Sequence, residues 1–139
     1  MPKRFVGKDV LKVDAEDKVT GKANYPSDIK FDDYLHVKIK RATYPHAILK
    51  DLDISKAMKV DGVVDIITEA DYPNLNKFGL IIKDQPVLIK IGEKMRFMGD
   101  ALAIVVAETE EAALKAREKI EVEIEKLEVI SDPHRAIEK

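Results

Sequence analysis

The chain has 139 residues, with 24 basic and 26 acidic side chains for a formal net charge of −2, and no cysteine. Such a length makes one domain with enough interior to fold without staples. The balanced charge excludes a basic nucleic-acid face, and the missing thiols exclude disulfides, thiolate metal sites and thiol catalysis.

The opening MPKRFVGKDV lacks the apolar run of a signal peptide, and no later stretch is long and apolar enough for a membrane helix. A cytoplasmic chain with no membrane or nucleic-acid partner is the expectation. Charged residues make up 36%, and Gln85 is the only glutamine. Abundant Lys and Glu with few amides is the composition of heat-adapted proteins, so a thermophilic source is expected.

In chain order, residues 1–33 read as irregular, punctuated by Gly7, Gly21 and Pro26. YLHVKIKR, 34–41, alternates with period two, with Leu35, Val37 and Ile39 on a buried face and His36, Lys38 and Lys40 on a polar one. The Tyr44-Pro45 pair breaks that strand. AILKDLDI, 47–54, resumes extended chain. Ser55 can cap a short helix to Val60, ended at Asp61-Gly62 by a glycine able to take positive φ. VVDIIT, 63–68, is a β-branched strand. Residues 69–93 contain a turn suggested by Asp71 and Pro73. Two short apolar runs follow, 78–82 and 87–91, as strands or as a loop packed on the core.

MRFMGDALAIVVAE predicts a strand, a turn at Gly99-Asp100 and a second strand, Ala101–Ala107. The second is apolar almost throughout and should be covered on both faces. Thr109 caps a helix whose Glu110 and Glu111 suit its positive end and whose Lys115, Arg117 and Lys119 suit its negative end. Ala112, Ala113, Leu114, Ala116 and Ile120 form its packing face. IEVEIEKLEV, 120–129, alternates again, and SDPHRAIEK is a tail. The strand–helix–strand unit from Ala101 to Leu127 suggests parallel neighbouring strands with a right-handed crossover.

Chemistry is hard to find. His36, His46 and His134 have no companion at metal-ligand spacing, and His46 reads as a turn residue bonded to backbone. Glu121, Glu123 and Glu125 form an exposed charged row. No GxGxxG, GxxxxGK or GxSxG occurs, Ser27, Ser55 and Ser131 lack a base, and four scattered tyrosines make no stacking platform. No catalytic, cofactor-binding or metal-ligating residue is assigned, which argues against an independent small enzyme.

Four segments together resemble one family. KVDAEDKVTGKANYPSDI, 12–29, is similar to the N-terminal signature of the large, molybdenum-cofactor-binding subunit of xanthine dehydrogenases and aldehyde oxidases. Lys18, Val19, Thr20, Gly21, Ala23, Tyr25 and Asp28 carry that match. In YPHAILKDLDISKA, 44–57, Pro45, His46, Ala47, Ile48, Asp53, Ser55 and Ala57 match. DGVVDIITEADYP, 61–73, resembles the family's Gly-Val, apolar strand, Thr and Asp-x-Pro. Residues 95–127 are similar to its aromatic-x-Gly at Gly99, its Val-x-Ala strand, its Ala-rich helix and its closing Leu. Departures are Asp100 where Gln is common, Ile124 where an aromatic is common, and Asn24 where a basic residue is frequent.

The resemblance implies an α+β fold, the α/β-hammerhead, with a mixed β-sheet and a strand–helix–strand unit at the C-terminal end. It implies an irregular docking segment over 1–33, the hammerhead over 34–130, and a tail over 131–139 leading into further domains. Lys18, Thr20, Gly21, Tyr25, Asp28, His46, Ala47 and Gly99 become structural motif residues. Among them Gly21 serves a turn, Tyr25 an anchor and Asp28 a backbone-bonding cap. The implied parent enzyme hydroxylates a heterocycle or aldehyde with a water-derived oxygen. It carries molybdopterin-bound molybdenum on C-terminal domains of the same subunit, and iron–sulfur clusters and FAD on partner domains or subunits. The chain itself would bind no cofactor and would be a non-catalytic domain of that subunit. The other reading is a free-standing assembly or binding module with the same fold.

Overall fold

The computed structural model describes residues 7–72, 74 and 76–138. They fall into two compact units, one ending at Asp33 and the other beginning at Tyr34.

In the first unit, where the sequence reads as irregular, a five-residue helix α1 (Ala15–Val19) and a 3-10 turn (Pro26–Asp28) form. Glu16 and Asp17 sit in the first turn of α1 and Lys18 in its last, matching the helix dipole. Lys18 also pairs with Asp14 at 2.5 Å, one turn back.

The second unit runs β1 (His36–Arg41), β2 (Ala47–Asp53), β3 (Val63–Ile67), β4 (Lys77–Phe78), β5 (Gln85–Pro86), β6 (Lys94–Met95), β7 (Ala101–Ala107), α2 (Glu110–Lys119), β8 (Glu121–Lys126) and α3 (Pro133–Ile137). Two three-stranded sheets have the orders β1-β7-β3 and β6-β2-β8, and β4 pairs with β5. Every strand pairing among the described residues is antiparallel. The α+β hammerhead reading holds, with antiparallel sheets.

The expected parallel pairing of β7 with β8 does not occur. β7 lies between β1 and β3, while β8 pairs with β2 in the other sheet. The reason lies at the end of α2. Ile120 leaves the helix in extended conformation, φ −69° and ψ 119°, and is itself buried. The next inward side chain, Val122, then stands opposite Leu52 of β2. Satisfying Val122 and Ile124 against β2 outweighs a return to β7.

One core lies under α2, where Ala112, Ala113 and Ala116 meet Ala103, Val105 and Ala107 of β7 and Ile66 of β3. A second gathers Ala42, Ala47, Leu49, Ile89, Met95 and Leu102. Leu52 and Val122 pack against both. The alanine face lets α2 sit close on the sheet, and Thr109 caps it by accepting a hydrogen bond from Ala112 N at 3.2 Å.

Three further expectations are corrected. The polar face of β1 turns toward the helix. Lys38 pairs with Glu110 at 2.6 Å, and Lys40 Nζ donates to the carbonyls of Ile120 at 2.9 Å and Arg117 at 3.3 Å. Those carbonyls are orphans at the negative end of α2, which suits a cation. Val37, expected inside, is 52% exposed.

Residues 55–60 form consecutive turns rather than a helix. Asp53 accepts from Ser55 N at 2.8 Å, which takes up the first amide and leaves only two turn bonds, Met58 N to Ile54 O and Val60 N to Ala57 O. Gly62 does adopt positive φ, +83°. The tail folds into α3, where Asp132 accepts from His134 N at 2.9 Å and Arg135 pairs with Glu128.

Between β3 and β7 short pairings and loop backbone bonds are joined by one side chain that imitates a strand partner. Buried Asn76 donates from Nδ2 to Leu88 O at 2.7 Å and accepts from Leu88 N at 2.8 Å. Pro73, assigned to a turn on sequence, lies outside the described residues.

Candidate functional site

The motif residues divide between the two units. Lys18, Thr20, Gly21, Tyr25 and Asp28 all belong to the first unit. Thr20 Oγ1 donates to Glu16 O at 2.7 Å and closes α1. Gly21 follows at φ +71°, a conformation that favours glycine. The Asp28 carboxylate accepts from Tyr25 N at 2.9 Å, and Asp28 N donates back to Tyr25 O at 2.9 Å. The Tyr25 side chain is half exposed.

His46, Ala47 and Gly99 belong to the second unit. His46 Nδ1 lies 2.6 Å from Glu128 O, and Leu127 N donates to His46 O at 2.9 Å. These bonds tie the start of β2 to the end of β8. Ala47 is fully buried where β2 meets both β6 and β8, and any larger side chain there would push one strand away. Gly99 sits at φ +119°, donates from N to Ala42 O at 3.1 Å and accepts from Arg41 Nη1 at 2.7 Å. Asp100, where the family favours Gln, accepts from Arg96 N at 2.7 Å and Phe97 N at 3.3 Å.

Several of the remaining polar candidates are paired. Glu121 pairs with Lys56 and Glu125 with Lys50, so two of the three carboxylates of the acidic row are ion-paired. A hydrogen bond to each carboxylate raises the pKa of Lys50 and of Lys56. The hydrogen bond from Lys38 lowers that of Glu110. Burial lowers the pKa of Lys40, with Arg117 adding to the effect and Glu118 opposing it. Asp53 and Asp71 are lowered chiefly by backbone hydrogen bonds from Ser55 and Thr68. The ring of His36 lies 4.9 Å from that of Tyr34.

An open groove of about 600 Å³ is lined by Arg41, Phe78, Pro86, Val87, Arg96 and Phe97 among others. It is largely apolar, and Arg41 and Asp100 at its rim already hold backbone groups. It brings together no nucleophile and base. Among the described residues no group of three His, Cys, Asp or Glu could hold a metal ion. Thiolate ligation of an iron–sulfur cluster is ruled out by a chain without cysteine. The described donor set thus does not fit a resident metal. No helix among the described residues is long and apolar enough to cross a membrane.

Sequence reasoning missed Asn76, Lys40 and the bare outer face of β1. Asn76 had a signal, since an amide between short apolar runs can imitate a strand partner.

The family model described as the aldehyde oxidase and xanthine dehydrogenase a/b hammerhead domain matches residues 20–128. The chain is 43% identical over 127 residues to a probable xanthine dehydrogenase subunit of Bacillus subtilis (strain 168), covering 91% of this chain and 17% of that protein. It is 41% identical over 135 residues to the nicotinate dehydrogenase large molybdopterin subunit of Eubacterium barkeri, covering 97% of this chain and 31% of that subunit. It superposes on the aldehyde oxidoreductase of Desulfovibrio desulfuricans ATCC 27774 with a TM-score of 0.85 at 29% identity, covering 96% of this chain and 16% of that one. The chain therefore spans under a third of the length of these relatives. Family match, order of elements and superposition agree: the chain belongs to the aldehyde oxidase and xanthine dehydrogenase family, as its α/β-hammerhead domain.

Proposed function

We propose that this chain is a structural, non-catalytic domain of a molybdenum hydroxylase large subunit. The complete enzyme oxidises a carbon of a heterocycle or an aldehyde, inserting oxygen derived from water. Molybdopterin with its molybdenum belongs to domains of the same subunit that follow this one, and supplies the oxygen-transfer chemistry when bound. Iron–sulfur clusters and FAD belong to partner domains or subunits and carry the electrons away. Neither nucleic acid nor a membrane is a partner, and the setting is the cytoplasm of a heat-adapted cell.

The observation that carries this reading is the pairing of a family match over residues 20–128 with donor atoms already committed to the fold. His46, Asp28, Asp100 and Asn76 each hold backbone groups, and Glu121 and Glu125 are ion-paired. Groups used this way position strands and turns.

In the same reading residues 1–33 dock the domain, 34–130 form its body and 131–139 lead onward. Lys18, Thr20, Gly21, Tyr25 and Asp28 shape the docking segment, while His46, Ala47 and Gly99 fix the strand ends. The half-exposed Tyr25 is then an anchor that another part of the enzyme receives.

The test is elemental analysis and absorption spectroscopy of the purified chain, followed by assay with aldehydes, purines and an added electron acceptor. Less than a tenth of an equivalent of molybdenum, iron or flavin, and no turnover, is expected. One equivalent of any of them, or turnover, refutes the structural role.

A further inference from the structure

Lys40 borders two hollows of the second unit. The inner one is a cavity of about 210 Å³, lined by Lys40, Ala42, Met95, Leu102, Val122 and Ile124 among others. The outer one is an open crevice of about 580 Å³, where Lys40 and Thr43 meet Arg117 and Glu118. Solvent thus reaches Lys40 from one side, and an apolar wall faces it on the other. Met95 and Leu102 in that wall are each 1% exposed. An apolar cavity of roughly 150 Å³ already takes a benzene-sized molecule. The ladder between β1 and β7 shifts register between Lys40 and Arg41, and such a shift bends the strand beside the cavity.

The bonding of Lys40 differs from that of its neighbours. Lys38, Lys50 and Lys56 each pair with a glutamate. Lys40 Nζ instead donates to Ile120 O at 2.9 Å and to Arg117 O at 3.3 Å. A neutral amine has two N–H groups and one lone pair. The two carbonyls take both N–H groups and leave the lone pair unused. The negative end of α2 favours the ammonium form. Burial opposes it, the Arg117 charge adds to burial, and Glu118 offsets part of the effect, so that the pKa of Lys40 is lowered. Desolvation and a neighbouring cation are the two influences that turn a lysine amine into a nucleophile.

We propose that Lys40 is a nucleophilic lysine that forms an imine with a small aldehyde whose apolar body seats in the cavity against Met95, Leu102, Val122 and Ile124. The Nζ lone pair attacks the carbonyl carbon, and one of the two amine protons passes to the oxygen. A further proton from solvent lets that oxygen leave as water while the C=N bond forms. The resulting iminium keeps one N–H for Ile120 O, and nothing is oxidised or reduced. One apolar hollow receives one substituent, which suits an aldehyde over a ketone.

The test uses the 139-residue chain with benzaldehyde below one equivalent. Sodium cyanoborohydride reduces any imine to a stable secondary amine, and peptide mass spectrometry locates it. Lys40 should carry about fivefold more adduct than the exposed Lys59 and Lys115. In denaturing urea, which removes burial, the ratio should fall to about one. With formaldehyde, which has no apolar body to seat, it should shrink to under about twofold. Arg117→Gln keeps the backbone carbonyl and removes the charge, and should cut the Lys40 adduct by about twofold or more while leaving Lys59 unchanged. Lys40→Arg keeps donors for both carbonyls; it should retain the wild-type circular dichroism spectrum and show no favoured lysine.

Equal labelling of Lys40 and Lys59 in the folded chain overturns the proposal. So does a preference for Lys40 that survives urea, which would lie in the local sequence. The same preference with formaldehyde as with benzaldehyde removes the cavity from the site, and an unchanged ratio in Arg117→Gln removes the activation; either result overturns the proposal.

Discussion

Replacing Asn76 with Ala removes both bonds that hold Leu88 in place. Asn76 and Leu88 are nearly inaccessible, at 6% and 4%, so neither Leu88 N–H nor its C=O finds water easily. Each buried backbone group left unpaired costs about 1–3 kcal/mol. With two groups subject to that penalty, Asn76→Ala should lose about 2–4 kcal/mol, a large share of a typical domain's stability. Asn76→Asp is more discriminating. One carboxylate oxygen can still accept from Leu88 N, but the other, when ionised, faces the Leu88 carbonyl. That repulsion and the burial raise the folded-state pKa of the new carboxyl above its unfolded value. An acid raised in this way is stabilising below its unfolded pKa and destabilising as pH rises through the folded one. Asn76→Asp should therefore be near wild type around pH 4 and clearly weaker at about pH 7.5, each compared with wild type at that pH. Urea titration followed by far-UV circular dichroism measures both, with the slope checked for constancy. A loss under about 0.5 kcal/mol for Asn76→Ala, or a pH-flat difference for Asn76→Asp, would mean that the amide does not hold Leu88 in solution.

Three further outcomes are expected. Gly62→Ala forces an L side chain to φ +83° with its Cβ 3.3 Å from Ala112 Cβ, and should lower stability by about 1–2 kcal/mol in the same titration; an unchanged midpoint would contradict the packing of α2. At Gly21, φ is +71° and no atom lies within 4 Å of where a Cβ would stand. Gly21→Val should therefore destabilise or misdock the first unit through backbone strain alone, and a variant that melts and assembles like wild type would remove its structural role. Asp53, Asp71 and Glu110 have pKa values lowered in the folded chain, so their contribution is present above the ordinary carboxylate range and is lost as pH falls through the lowered values, below about pH 4. Asp53→Asn and Asp71→Asn keep the acceptor oxygen and remove the titration, and should flatten the acid limb of the stability curve; an unaltered limb would show that these carboxylates do not drive it.

Local structure was legible where one interaction decides it. Thr109 followed by two glutamates and an alanine-rich face could become little other than α2, and the β-branched runs became β3 and β7. Pairing was not legible, because β7 and β8 look alike to any rule that joins consecutive strands. What separates them is the position of Ile120 as the helix ends, a tertiary fact. The faces of β1 were misread for a related reason. Alternation shows that Val37 and Lys38 differ, but the orphan carbonyls of α2 select the lysine side. The stretch from 77 to 95 stayed ambiguous because two-residue strands carry too little periodicity, and part of its anchoring comes from an amide side chain rather than a ladder. The motif residues were readable as a family signature, and they divide between the two units.

The order of strands in space has a consequence in time. β1 ends at Arg41 and β3 at Ile67, yet among the described residues both pair only with β7, which ends at Ala107. β2 likewise waits for β6 and β8, which come after it. On the ribosome, the first strands therefore emerge with no partner yet made. At roughly 5–20 residues per second, the gap between Arg41 and Ala107 lasts about 3–13 s. For that interval Val37 and Ile39, and for its later part the β-branched residues of β3, are bare edges beside whatever other nascent chains are near. Lys38, Lys40 and Arg41, interleaved with the aliphatics of β1, keep that waiting strand from joining them.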